Sequence, residues 1–228
     1  MDEIVRPASR RERPAKPALT RAGIVGTALS LMRGEGVERV TMRRLAKELD
    51  TGPASLYVYV RDTDELHAAV LDELIAEVDL SQVGADGPWR DRLFAVLSSY
   101  STLLYQHPSL ARAAVVTRPS GSHYLALLDA LMQLLIQGEV PADRAAWAVD
   151  LLLQLYTTNA AEHGTRNLNA PAKRKDFAEL STAIRTAPAG TFPAVAQYAE
   201  ELLSGTGWER SRWRFEVLIA GILATPRP

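Results

Sequence analysis

Between Thr41 and Val60 the chain reads TMRRLAKELDTGPASLYVYV, a spacing that leaves room for little but two short helices set at an angle. Met42, Leu45, Ala46 and Leu49 recur at helical spacing behind Thr41, a residue type favoured at helix N-caps. Gly52 and Pro53 then break the run. Leu56 and Val60, four residues apart, give the next segment (about Ala54 to Val60) a single inward side. Two helices joined by a tight Gly-containing turn, the second short, make a helix-turn-helix. With Leu56 and Val60 inward, Ala54, Ser55, Tyr57 and Tyr59 project outward. Small residues at the start of that helix let its backbone approach base edges in a major groove. Ser55 can donate to a phosphate or a base, and the tyrosine hydroxyls can reach phosphates. Arg43 and Arg44 follow the cap of the preceding helix, whose N-terminus itself favours a phosphate. A purely structural hairpin with exposed tyrosines would show the same local pattern.

Helical periodicity continues on both sides. Thr20 is placed to cap a helix carrying Ile24, Ala28 and Leu31, which ends at Gly34 and Gly36. Thr63 is placed to cap another, with Leu66, Val70, Leu71 and Leu74 on one side. After the linker at 81–88 the pattern predicts helices over 88–106, 109–116, 120–137, 141–163, 173–185, 193–203 and 208–224, with loops at 164–171 and 186–193. No window alternates like a strand, so the expected fold class is all-α. The expected organisation is a basic arm (1–18), a helix-turn-helix unit of three helices and its flank (19–66), and a helical body (67–228). The arm holds three prolines and five basic side chains and too little apolar surface to offset its ordering entropy. It reads as a flexible, solvated tail or as a segment touching DNA phosphates.

Composition narrows the function classes. Residues 1–66 carry 12 Lys+Arg against 10 Asp+Glu, and residues 67–228 carry 14 against 17. A faintly basic front on an acidic body suits a DNA-facing end, though the contrast is small. There is no cysteine, hence no disulfide and no thiolate nucleophile or ligand. No apolar run approaches the roughly 18 residues that span a bilayer. The N-terminus lacks an apolar core of the signal-peptide kind, and the expectation is a cytoplasmic protein with no membrane partner. His67, His107, His123 and His163 are scattered, with no metal-binding pair, P-loop, nucleophile elbow or dinucleotide fingerprint. No metal, cofactor or catalytic residue is expected, and the chain does not read as an enzyme.

The stretch 19–66, with GEGVERVTMRRLAKEL followed by TGPASLYVYVRDTDEL, resembles the DNA-binding domain of the TetR family of bacterial transcriptional regulators. The resemblance implies DNA contacts for Thr41, Met42 and Arg43 at the start of the second helix. It implies the same for Pro53, Ala54, Ser55, Tyr57 and Tyr59 on the recognition helix. Many relatives carry a lysine near Thr63 for a phosphate; here the threonine leaves its backbone amide for that contact. The likeness extends through Thr117-Arg118-Pro119, the helix around GEVPADRAAWAVDLLLQLY and the end of the chain to the C-terminal domain of the tetracycline-repressor branch. Aligned on 117–119, Ala114 occupies the place of that branch's magnesium-ligating histidine and Ala161 that of a ligand-binding glutamate. Glu162 is one residue off, which on a helix swings it by about 100°. Alanine coordinates no metal, so the effector is expected to be a small, mainly apolar, metal-independent molecule.

The set Tyr100, Tyr105, Trp147, Gln154, Tyr156 and Asn159 falls on helices that must face one another, and it serves either core packing or a pocket. Tyr100, Trp147 and Gln154 are the residues expected to touch the effector, in a site among the 88–106, 109–116 and 141–163 helices. Phe215, Leu218, Ile219, Ile222 and Leu223, with Ala145, Val149, Leu152 and Leu153, form apolar faces suited to a four-helix dimer interface or to the protomer's own core. Two readings follow. One is a homodimeric repressor that leaves a pseudo-palindromic operator when its effector binds. The other is an all-α small-molecule-binding protein or enzyme in which the helix-turn-helix is only structural.

Overall fold

Two side-chain caps set the start of the fold where the sequence puts them. In the computed structural model, which describes residues 18–167 and 170–228, Thr20 Oγ1 accepts from Gly23 N at 3.0 Å. Thr41 Oγ1 accepts from Arg44 N at 3.2 Å. The caps open α1 (Arg21–Glu35) and α2 (Met42–Glu48). Gly36 stops α1 with φ at 89°, a backbone angle that favours glycine, and its amide donates to Met32 O at 2.9 Å. The arm expected over 1–17 lies outside the described residues.

α3 (Pro53–Leu56) is shorter than the segment expected to reach Val60; Tyr57–Tyr59 form a turn. Leu56 and Val60 are nonetheless both buried. α4 (Thr63–Ile75) corrects the assignment of its cap: Asp62, not Thr63, holds that position, its Oδ1 accepting from Glu65 N at 2.8 Å. Glu65 Oε2 accepts from Arg61 N at 2.8 Å, one residue before the cap, and so ties the incoming chain to the first turn. The Arg61 amide and guanidinium hold the Glu65 carboxyl below its ordinary value.

Beyond α4 come α5 (Trp89–Gln106), α6 (Pro108–Val116), α7 (Ser122–Gln137), α8 (Ala142–Asn167), α9 (Ala170–Arg185), α10 (Pro193–Gln197), α11 (Ala199–Leu203) and α12 (Gly207–Ala224). No strand occurs among the described residues, and the fold is all-α. The loop expected at 164–171 is instead helix up to Asn167 and from Ala170. One internal glycine costs about 1 kcal/mol, too little to end a helix of 26 residues. The single helix expected over 193–203 breaks at Tyr198 into α10 and α11.

α8 is the axis of the body, packed against α5, α6, α7 and α12. α4 packs on α1 at one end and on α6 and α7 at the other, so a boundary after residue 66 falls inside a continuous helix shared by both parts. The apolar faces divide cleanly. Ala145, Val149, Leu152, Leu153, Phe215 and Ile219 are buried in the protomer's own core. The stripe left uncovered is a different one: Trp147 and Leu151 on α8, with Val217 and Gly221 on α12. Leu218 and Ile222 are half-buried between the two sets.

Candidate nucleic-acid interface and effector cavity

The helix-turn-helix presents an exposed ridge built from Thr41, Arg43, Pro53, Ala54, Ser55 and Tyr57. Arg43 and Arg44 are neighbours with different fates. Arg44 is locked by Glu35 Oε1 at 2.7 Å and Glu48 Oε2 at 3.0 Å, while Arg43 has no ion-pair partner among the described residues. Arg43 is therefore the side chain at the α2 N-terminus whose charge is left to meet an anion. Met42 is corrected: it is 6% exposed and belongs to the core of the unit, so its side chain is closed to DNA. Tyr59 is half-buried and packed on that core, leaving only part of its ring available. Thr63 is half-buried between Asp62, which caps the helix, and Asp64, while Glu65 is paired with Arg61 and Arg21. Val58, absent from the expected set, is 80% exposed at the tip. Its signal was in the pattern: with Leu56 and Val60 inward, position 58 must face away, where a branched apolar side chain can meet a thymine methyl.

In the body, α5, α6, α7 and α8 enclose a cavity of about 90 Å³ that both Tyr100 and Gln154 line. Tyr100 is buried, its hydroxyl 2.7 Å from Thr157 Oγ1, and burial pushes that phenol up to about 12, so it is protonated at neutral pH. Ala114 and Tyr124 complete the wall, and an Arg118–Asp150 ion pair at 2.8 Å borders it. Trp147 is corrected: it lies outside this cavity, 55% exposed, with the Arg227 guanidinium 4.0 Å from its ring centroid in a groove between α8 and α12. It shares Gln154's side of the helix but sits seven residues away, about 10 Å along the axis. Ala161 is buried and Glu162 exposed, and no cluster of metal-ligating side chains occurs among the described residues.

Polar contacts connect the body to the DNA-facing unit, among them an Arg33–Glu77 ion pair and two links through α7 and α6. Asp72 of α4 is buried, and its Oδ1 accepts from Tyr124 N at 2.9 Å. It thereby caps α7 from another helix, since the residue at the N-cap position is Gly121. Tyr124 is also a wall of the cavity, so cavity, α7 and α4 meet at one residue. Nearer the DNA-facing unit, Glu38 is bound by Ser109 and Arg112 of α6, contacts that hold its carboxyl below its ordinary value. Neither link was visible in the sequence.

Comparison with known proteins agrees with this layout. Residues 24–70 match the family model "Bacterial regulatory proteins, tetR family", and residues 83–225 match "Tetracyclin repressor-like, C-terminal domain". An HTH-type transcriptional regulator of Saccharopolyspora erythraea is 31% identical over 216 residues, 92% of this chain and 87% of its own. A putative transcription regulator from Streptomyces coelicolor superimposes with a TM-score of 0.79 at 51% identity, covering 93% of this chain and 98% of its own. The TetR family protein ActR of Streptomyces coelicolor, solved in complex with actinorhodin, gives a TM-score of 0.77 at 32% identity over 91% of this chain and 97% of its own. With both parts of the chain matched, and the exposed ridge and helical body arranged as described, the protein belongs to the TetR family of transcriptional regulators.

Proposed function

We propose that the protein is a homodimeric repressor that occupies a pseudo-palindromic operator and leaves it when a small, mainly apolar effector binds between α5, α6, α7 and α8. The observation that carries the DNA half is the exposed ridge with Arg43, which has no ion-pair partner among the described residues, at the capped start of α2. Two such ridges must enter successive major grooves about 34–36 Å apart. Arg43 and Thr41 would hold phosphates, while Ala54, Ser55, Tyr57 and Val58 face the groove. In a mobility-shift titration on the gene's own upstream DNA, Arg43→Ala and Tyr57→Ala should each lose roughly 1–3 kcal/mol of specific binding with the fold unchanged. Wild-type affinity in both variants would dismiss this ridge as the recognition surface. Acting on DNA, and with no helix among the described residues long and apolar enough to cross a membrane, the regulator would work in the cytoplasm.

The effector half rests on the cavity at Tyr100 and Gln154 and on its contact with α4 through Tyr124 and Asp72. At about 90 Å³ the cavity is well below the roughly 300–1,000 Å³ of sites that hold drug-sized ligands. An effector must therefore favour a more open arrangement, which is the condition for switching: it binds one state better than the other. A swing from 1:99 to 99:1 requires a preference of about 5.5 kcal/mol. Opening the wall at Tyr124 would pull on Asp72, tilt α4 and change the spacing of the two ridges. Ala114 offers no metal ligand, so release should proceed equally with and without EDTA; release that needs Mg²⁺ would rule out this effector class.

A further inference from the structure

α5, α8 and the N-terminal half of α12 enclose a second cavity, of about 420 Å³, which is within the range that holds drug-sized ligands. Adjacent residues keep it apart from the first: Tyr100 and Thr157 face the cavity already described, Ser101 and Tyr156 face this one. Its deep end is polar but incompletely satisfied. Tyr156 is 4% exposed, yet its hydroxyl has no hydrogen-bond partner. Ser211 approaches the hydroxyl without reaching full hydrogen-bond geometry, and burial pushes the phenol up to about 12, so it remains an O–H donor. Arg214 makes a single long contact, Nη1 to Asn159 Oδ1 at 3.4 Å, and has no carboxylate partner among the described residues.

Several of the other polar side chains already have partners. Asn159 Nδ2 donates to the Tyr105 hydroxyl at 3.1 Å, and the His163 ring contacts Asn159 O at 2.9 Å. Arg210, at the rim, is spent on the carbonyls of Leu202 and Ser204. No aspartate or glutamate is among the described residues lining the space, while Phe94, Tyr105 and Trp208 give it aromatic walls. An unmatched buried donor and an uncompensated guanidinium in an aromatic cavity call for an anionic acceptor carried on a flat apolar body.

We propose that this cavity is a second ligand site, selective for a planar aromatic carboxylate whose acid group lies between Arg214 and the Tyr156 hydroxyl. The guanidinium offers paired N–H donors to the carboxylate, and the orphaned phenol supplies a third. The site does not depend on the effector cavity at Tyr100 and Gln154.

Titration calorimetry of the full chain with 2-naphthoate and its neutral isostere 2-naphthamide tests it. The acid should bind at least about tenfold more tightly than the amide, the size of one charge-assisted hydrogen bond. Arg214→Met should erase that preference. Tyr156→Phe should weaken the acid severalfold and leave the weaker binding of the amide unchanged, with circular dichroism checking that the fold is kept. Gln154→Ala should leave the titration unchanged. Equal affinity for acid and amide, no binding to the wild type, or binding that is lost with Gln154→Ala and kept with Arg214→Met would overturn the assignment.

Discussion

A chain carrying Leu151→Glu together with Val217→Glu is expected to stay folded, sediment as a monomer and lose its operator. Both side chains are exposed in the protomer, at 42% and 48%, so neither holds the protomer's own core together. They line the same groove between α8 and α12, of about 900 Å³, with Trp147, Leu218, Gly221 and Ile222. Contiguous apolar surface of this kind marks an interaction site. A two-fold contact through it places each substitution twice, close to the axis. Four carboxylates would then be buried in an apolar seam whose nearby arginines are already engaged, Arg118 with Asp150, Arg144 with the Leu223 carbonyl and Arg227 over Trp147, at several kcal/mol apiece before relaxation. The dimer dissociation constant should rise more than about a thousandfold, which is about 4 kcal/mol. A monomer presents one ridge where the operator requires two in register, so specific DNA binding should vanish with the dimer. Sedimentation equilibrium at micromolar concentration, with circular dichroism as the check on folding, decides it. A double variant that still sediments as the wild-type dimer would move the subunit contact elsewhere. Leu218→Glu is a less clean test, since Leu218 also packs on the protomer's core.

The helices were legible because their signals are local. Thr20 and Thr41 cap where a capping residue precedes an apolar period, and Gly36 ends α1 where only glycine fits the backbone angle. The cap of α4 is Asp62 rather than Thr63 for a reason also written locally: an aspartate three residues before Glu65 accepts from its amide, and Glu65 in turn holds the Arg61 amide just outside the helix. In the sequence Met42 fits both the inner face and a DNA contact, and burial decides for the first. What the sequence could not resolve is how one long helix shares out its sides. The aromatic and polar set on α5 and α8 divides among three places. Tyr100 and Gln154 reach the small cavity, Tyr105, Tyr156 and Asn159 the large one, and Trp147 the uncovered groove. Periodicity gives the angle of a residue around its own helix, but not which neighbour stands opposite at that height. The links through Asp72 and Glu38 join residues tens of positions apart, where no local pattern records the pairing.

Gly121→Ala is expected to destabilise the protein strongly and to loosen the coupling between cavity and DNA. Gly121 is the N-cap of α7 and has no side chain to bond the helix end, so Asp72 of α4 takes that seat. A methyl group on Gly121 would lie inside the Asp72 carboxylate. One of the two must leave, and the buried carboxylate has no solvent to retreat into, with α4 packed on both α6 and α7. Overpacking of this kind costs about 1–3 kcal/mol, and losing a hydrogen bond to a charged group adds about 1.5–3 kcal/mol. Together these predict a fall in melting temperature on the order of 10 °C for a chain of this size. Asp72→Asn keeps an acceptor at Tyr124 N and should cost much less. The double variant Gly121→Ala with Asp72→Ala separates clash from simple loss of the cap. Removing the carboxylate makes room for the methyl group, so the pair should melt higher than the sum of the single changes predicts. The surviving protein should also release DNA less completely at saturating effector, because α7 no longer grips α4. A Gly121→Ala protein that melts within about 2 °C of wild type, equivalent to about 1 kcal/mol or less, would show that Asp72 has another place to go and that α4 is not held through α7.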